Sequence, residues 1–70
     1  METTQIKIET EFIRLDALLK FSGVMDTGGA AKLAIQGGEV SVNGEPCTMR
    51  GKKLRPGDRA GLGGRTLVVE

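Results

Sequence analysis

The spacing of hydrophobic positions changes twice along this chain, and each change predicts a different kind of element. Gln5 and Lys7 alternate with Ile6 and Ile8, so residues 5 to 8 are expected to form a short edge strand with both isoleucines on one side. From Arg14 the spacing becomes helical. Leu15, Leu18 and Leu19 share a face, Arg14, Asp16, Ala17 and Lys20 fall elsewhere, and Gly23 supplies a left-handed stop. After a short connection, Thr27 is expected to cap a second helix with its hydroxyl. There Ala31, Ala34 and Ile35 recur at i, i+3 and i+4 with Leu33 flanking, and Gly37-Gly38 end the run. The small Ala30, Ala31 and Ala34 permit close approach to the first helix, side by side or steeply crossed as in a helix-turn-helix.

Beyond Gly38 the alternation returns to a period of two. Val40 and Val42 alternate with Glu39 and Ser41 and run into Asn43-Gly44, a strong hairpin signal because both residues tolerate positive φ. A return strand is expected at residues 46 to 48, short or at an edge because Pro46 cannot donate to a ladder. Pro56-Gly57 marks a turn into a strand over residues 58 to 62, and Gly63-Gly64 turns the chain into a last strand over residues 66 to 69. The expected fold class is α+β, two short helices packed on a small antiparallel sheet, in one domain spanning residues 1 to 70 with its core in 13 to 70.

Composition narrows the class. At 70 residues, 39% hydrophobic and 27% charged, the chain is of globular composition with room for one core. One cysteine, Cys47, excludes an intrachain disulfide, and no apolar run approaches the roughly 18 residues of a membrane span. The start METTQIKIET lacks a signal-peptide pattern, so a cytoplasmic, soluble protein is expected, with no membrane partner. The formal net charge of +1 is uninformative, but its distribution is not. Residues 1 to 35 carry four basic and five acidic side chains, whereas residues 50 to 59 carry Arg50, Lys52, Lys53, Arg55 and Arg59 against Asp58 alone. Such a patch attracts phosphate even on a nearly neutral protein, because salt screens distant acidic groups.

Three stretches carry a resemblance: RLDALLKFSG at residues 14 to 23, DTGGAAKLAIQGGEVSVNG at 26 to 44, and RGKKLRPGD at 50 to 58. Together they resemble the S4-like RNA-binding domain, or α-L motif, and especially its small stand-alone YaaA/YbcJ type. The resemblance implies two helices on a small sheet that form, with the loop after the hairpin, a surface for RNA. In that family the second helix usually opens with Ser-Arg, whereas here Thr27-Gly28 stand, so the guanidinium is missing. The amides of Gly28 and Gly29, unobstructed by a Cβ at the positive end of the helix, are expected to take its place. Lys32 falls where the family commonly has a basic residue, and Arg50, Lys52 and Lys53 match the family's basic stretch after the hairpin. Lys20 and Arg55 are lesser candidates, Arg59 could extend the patch, and Asp16 reads as a partner for Arg14 or Lys20 or for the helix dipole.

Catalysis is not expected. With no histidine there is no general base of ordinary kind near neutral pH, Cys47 has no activating neighbour, and no metal or cofactor motif occurs. Only Phe12 and Phe21 are aromatic, too few rings for a base-stacking platform, which favours structured RNA held by its phosphates. Ribosomal RNA or a ribosomal subunit is the first candidate partner, in ribosome assembly or translation, and DNA is not expected. The alternative is a protein-docking module that presents its basic loop to an acidic or ribosomal protein. Oligomeric state is left open by the sequence.

Overall fold

The computed structural model describes residues 2–70; residue 1, included in the expected domain, lies outside them. Nine elements follow in chain order: β1 (Glu2–Ile6), β2 (Ile13–Arg14), α1 (Leu15–Phe21), α2 (Gly28–Gln36), β3 (Val40–Val42), β4 (Glu45–Pro46), β5 (Lys53–Leu54), β6 (Arg59–Leu62) and β7 (Arg65–Val69). Five strands form one sheet in the order β1-β7-β6-β3-β4, and β2 pairs with β5 in a separate two-stranded ladder.

The three leucines of α1 and Ala31, Ala34 and Ile35 of α2 are buried against Ile6, Val40, Val42, Ala60, Leu67 and Val69 of the sheet. Alternation does the sorting, since Val40, Val42, Ala60, Leu67 and Val69 occupy one side of their strands. Leu33 is 72% exposed, off the packed stripe of α2. The N-cap of α2 forms as expected: Thr27 is extended, and its Oγ1 accepts the Ala30 amide at 3.1 Å. Gly23 and Gly38, at φ of 82° and 77°, turn the chain away from the two helices.

Two expectations require correction. The sheet is mixed, because β1 pairs with β7 in parallel, Glu2 opposite Arg65 through Ile6 opposite Val69. A parallel pair needs a long crossover, and here the whole intervening chain serves as one, a relationship invisible to local pattern. The packed interior also begins before residue 13, since Ile6 is buried within it. Strand bounds move slightly: β1 lies at 2 to 6 rather than 5 to 8, and the return strand β4 at Glu45–Pro46 rather than 46 to 48. Pro46 does sit on an edge strand.

Candidate nucleic-acid interface

The amino end of α1 organises the site. Arg14 occupies the N-cap position and provides no side-chain cap, so the first amides of the helix need another acceptor. They find it in the cationic turn: Leu15 N donates to the Lys52 carbonyl at 2.8 Å and Asp16 N to the Arg50 carbonyl at 3.1 Å. The turn is closed by Lys52 N donating to the Met49 carbonyl at 3.1 Å. Next to it, Ile13 pairs with Leu54 and Arg14 with Lys53 in the β2-β5 ladder, with Leu54 fully buried. A basic segment that would otherwise be a free loop is thereby fixed to the helical layer.

Arg14 also lines an open cleft of about 310 Å³, together with Asp16, Ala17, Lys20 and Gly28. Of the candidates, Lys20 and Gly28 therefore meet at this cleft, whereas Arg50, Lys52 and Lys53 do not line it. The Arg14 guanidinium lies against Gly51, where a Cβ would stand 3.7 Å from Nη2 and 3.9 Å from Nε. Asp16 Oδ2 accepts from Arg14 Nη2 at 3.3 Å, and Asp16 Oδ1 accepts the Ala17 amide at 2.8 Å. Gly29 and Lys32 are exposed on the first turns of α2 but do not line the cleft.

The remaining cations spread out. Lys52 lines a second cleft with Val42, Asn43, Glu45, Pro46, Cys47 and Met49. Lys53 holds its Nζ 4.8 Å from the centroid of the Phe12 ring, a cation-π contact that the sequence reading did not anticipate. Arg50 is exposed on the turn, and Arg55 begins the Pro56-Gly57 turn. In that turn Asp58 Oδ2 accepts the Arg55 amide at 2.8 Å, and Asp58 Oδ1 accepts Asn43 Nδ2 at 3.2 Å. The Arg55 amide first and the Asn43 side chain second hold the Asp58 carboxyl below its usual value of 3.8; burial opposes them, and the charges of Lys52 and Arg55 add smaller lowering effects. Cys47 is half-buried, with Sγ 3.8 Å from the Met49 carbonyl.

Arg14 is the residue the sequence reading missed as a site former. The signal was a helix start with no Ser, Thr, Asp or Asn to cap it, which requires acceptors from elsewhere in the chain. Among the described residues no group of three or more His, Cys, Asp or Glu converges to hold a metal ion, and no helix is long and apolar enough to cross a membrane.

A small α+β domain with two helices on a mixed sheet and a cationic turn clasped to the first helix defines a class of compact binding modules. The S4 domain family model matches residues 6–70, and the chain belongs to that family. It is also 47% identical over 53 residues to a protein of Bacillus subtilis (strain 168) described as a probable ribosome maturation protein, RlbA. That match covers 76% of this chain and 75% of the relative.

Proposed function

We propose that this chain is a non-catalytic RNA-binding protein that recognises structured RNA, ribosomal RNA first among candidates, mainly through phosphate contacts. One observation carries the reading: the turn bearing Arg50, Lys52 and Lys53 is bonded through its own carbonyls to the amino end of α1, whose adjacent face borders Gly28. Cations on a fixed turn lose less conformational freedom on binding than cations on a loose loop. In this reading Arg50 and Lys52 are the principal contacts, with Lys53, Lys20, Lys32 and Arg55 around them. Gly28 and Gly29 supply amides, because Thr27 engages those of Ala30 and Ala31 through its Oγ1 and carbonyl. The ribosome-related name of the Bacillus relative supports ribosomal RNA or a ribosomal subunit as partner, and a cytoplasmic location follows from that role.

The second reading, a protein-docking module, draws on Phe21, Leu33 and Met49, apolar side chains 69%, 72% and 66% exposed. Salt separates the two. Fluorescence anisotropy with a labelled RNA stem-loop is expected to give a slope of log affinity against log salt of about −3 for four phosphate contacts. Lys52→Glu/Lys53→Glu is expected to weaken binding about tenfold or more, equivalent to about 1.4 kcal/mol. Unchanged affinity in that variant removes the turn from the interface, and a nearly flat salt response favours the protein partner.

A further inference from the structure

We propose that β1 is a docking edge for a second copy of this chain: two β1 strands pair antiparallel about a twofold axis at Gln5 and join the two sheets into one. The proposal is independent of the RNA reading and concerns the edge of the sheet opposite β4. In the strand order β1 has one neighbour, β7, so its other side is open. The ladder with β7 runs past the strand itself, since Glu70 N donates to the Ile6 carbonyl at 2.8 Å and Ile8 N to the Glu70 carbonyl at 3.0 Å. The backbone groups of Ile6 and Ile8 therefore face β7. Successive residues of an extended strand direct their N–H and C=O to opposite sides, so Thr3, Gln5 and Lys7 direct theirs outward as an unpaired row.

Register, charge and the opposite edge each select a second copy as the occupant. Gln5 is the midpoint of the laddered residues 2 to 8. A twofold axis there sets Gln5 against Gln5, Thr3 against Lys7 and Lys7 against Thr3, so every outward N–H and C=O of these residues finds a partner. Lys7 is the sole charge among residues 3 to 7, and it falls opposite an exposed threonine, so no like charges face each other. Thr4, exposed and on the same face as the buried Ile6, lies opposite Ile6 of the second copy. The far edge of the sheet is unsuited to pairing, because β4 spans two residues and Pro46 has no N–H to donate. A β1-to-β4 contact, which would propagate copy by copy, is thereby disfavoured, whereas a β1-to-β1 contact closes at two. The cationic turn lies beside β4, where Lys52 and Pro46 line one cleft, so both copies keep it uncovered at the outer ends of the joined sheet. A contact confined to one strand edge is small, so the dimer is expected at high protein concentration rather than as an obligate state.

The test is sedimentation equilibrium of the RNA-free protein from about 10 µM to about 1 mM, the range in which a small interface associates. The apparent mass is expected to rise with concentration from 7.4 kDa toward twice that value. Over the same range, hydrogen exchange is expected to slow at the amides of Thr3, Gln5 and Lys7, while Ile6 and Ile8 are protected throughout. Thr3→Glu sets opposite charges against Lys7 at two symmetric places and is expected to tighten association about three- to tenfold; Thr3→Lys is expected to weaken it by a similar factor. Adding Lys7→Glu to Thr3→Lys restores opposite charges and is expected to recover the dimer. Gln5→Pro removes the outward N–H at the axis, leaves the bonds of Ile6 and Ile8 to β7, and is expected to give a folded monomer by circular dichroism. If Gln5→Pro unfolds, the charge series decides. A wild-type protein that stays monomeric to about 1 mM overturns the proposal. A dimer that associates equally well in Thr3→Glu and Thr3→Lys overturns it too, since the interface then lies elsewhere. Neither result bears on RNA binding, which the salt series on the stem-loop tests separately.

Discussion

Asn43 holds φ at 52°, the single non-glycine residue with positive φ among those described, and both ends of its carboxamide are occupied. Oδ1 accepts the Arg59 amide at 2.9 Å, and Nδ2 donates to Asp58 at 3.2 Å. The side chain thus ties the β3-β4 turn to the start of β6. Asn43→Ala is expected to cost about 1 to 3 kcal/mol in denaturant unfolding, since it loses both bonds and keeps a left-handed backbone that alanine disfavours. Asn43→Gly relieves the backbone and loses only the bonds, so its cost is expected to be smaller; an equal or larger cost assigns the effect to the carboxamide alone. Asp58 adds a dependence on pH. Its folded-state value lies below 3.8, so it favours the folded state above about pH 4, and that contribution disappears as pH falls through the lowered value. Asp58→Asn is expected to flatten the acid side of the stability curve; an acid limb identical to wild type removes Asp58 as its source.

Among the elements, what sequence revealed and what it concealed divide along the range of the interaction. The α1 stripe, the Thr27 cap of α2 and the turns at Asn43-Gly44, Pro56-Gly57 and Gly63-Gly64 are local devices, and each was readable from its own residues. The two-residue strands β2 and β5 were not, because two residues carry no period and their pairing joins positions some forty apart in the chain. The parallel seating of β1 on β7 was hidden for the same reason. At the site, the basic composition of the turn was legible, but its attachment to α1 and the capture of Lys53 by Phe12 depend on through-space neighbours. Two substitutions probe these levels. Thr27→Ala is expected to cost about 1 kcal/mol through loss of the cap, measurable by chemical denaturation. Leu54→Ala, in a fully buried position on β5, is expected to cost about 2 to 5 kcal/mol, and a cost below about 1 kcal/mol would mean that the clasp contributes little to the core.

For the whole molecule, size makes binding and stability inseparable. A core drawn from 70 residues typically leaves only about 3 to 5 kcal/mol of net stability. A ligand that engages only the folded state at a hundred times its dissociation constant adds about 2.7 kcal/mol, comparable to that total. For a domain of this length each kcal/mol moves the melting temperature by about 4 to 8 °C, so RNA at that concentration is expected to raise it by about 10 to 20 °C. If the added stability comes from phosphates, it should disappear with salt. About four contacts imply a fifty- to hundredfold affinity loss between roughly 50 and 200 mM salt, leaving a shift of about 2 to 5 °C at the same RNA concentration. Melting the free and RNA-loaded protein at both salt concentrations reads this directly. A large shift that survives the higher salt would place the binding energy in apolar contacts such as those available to Phe21 and Leu33, and the turn on α1 would then be a structural clasp whose charges face solvent.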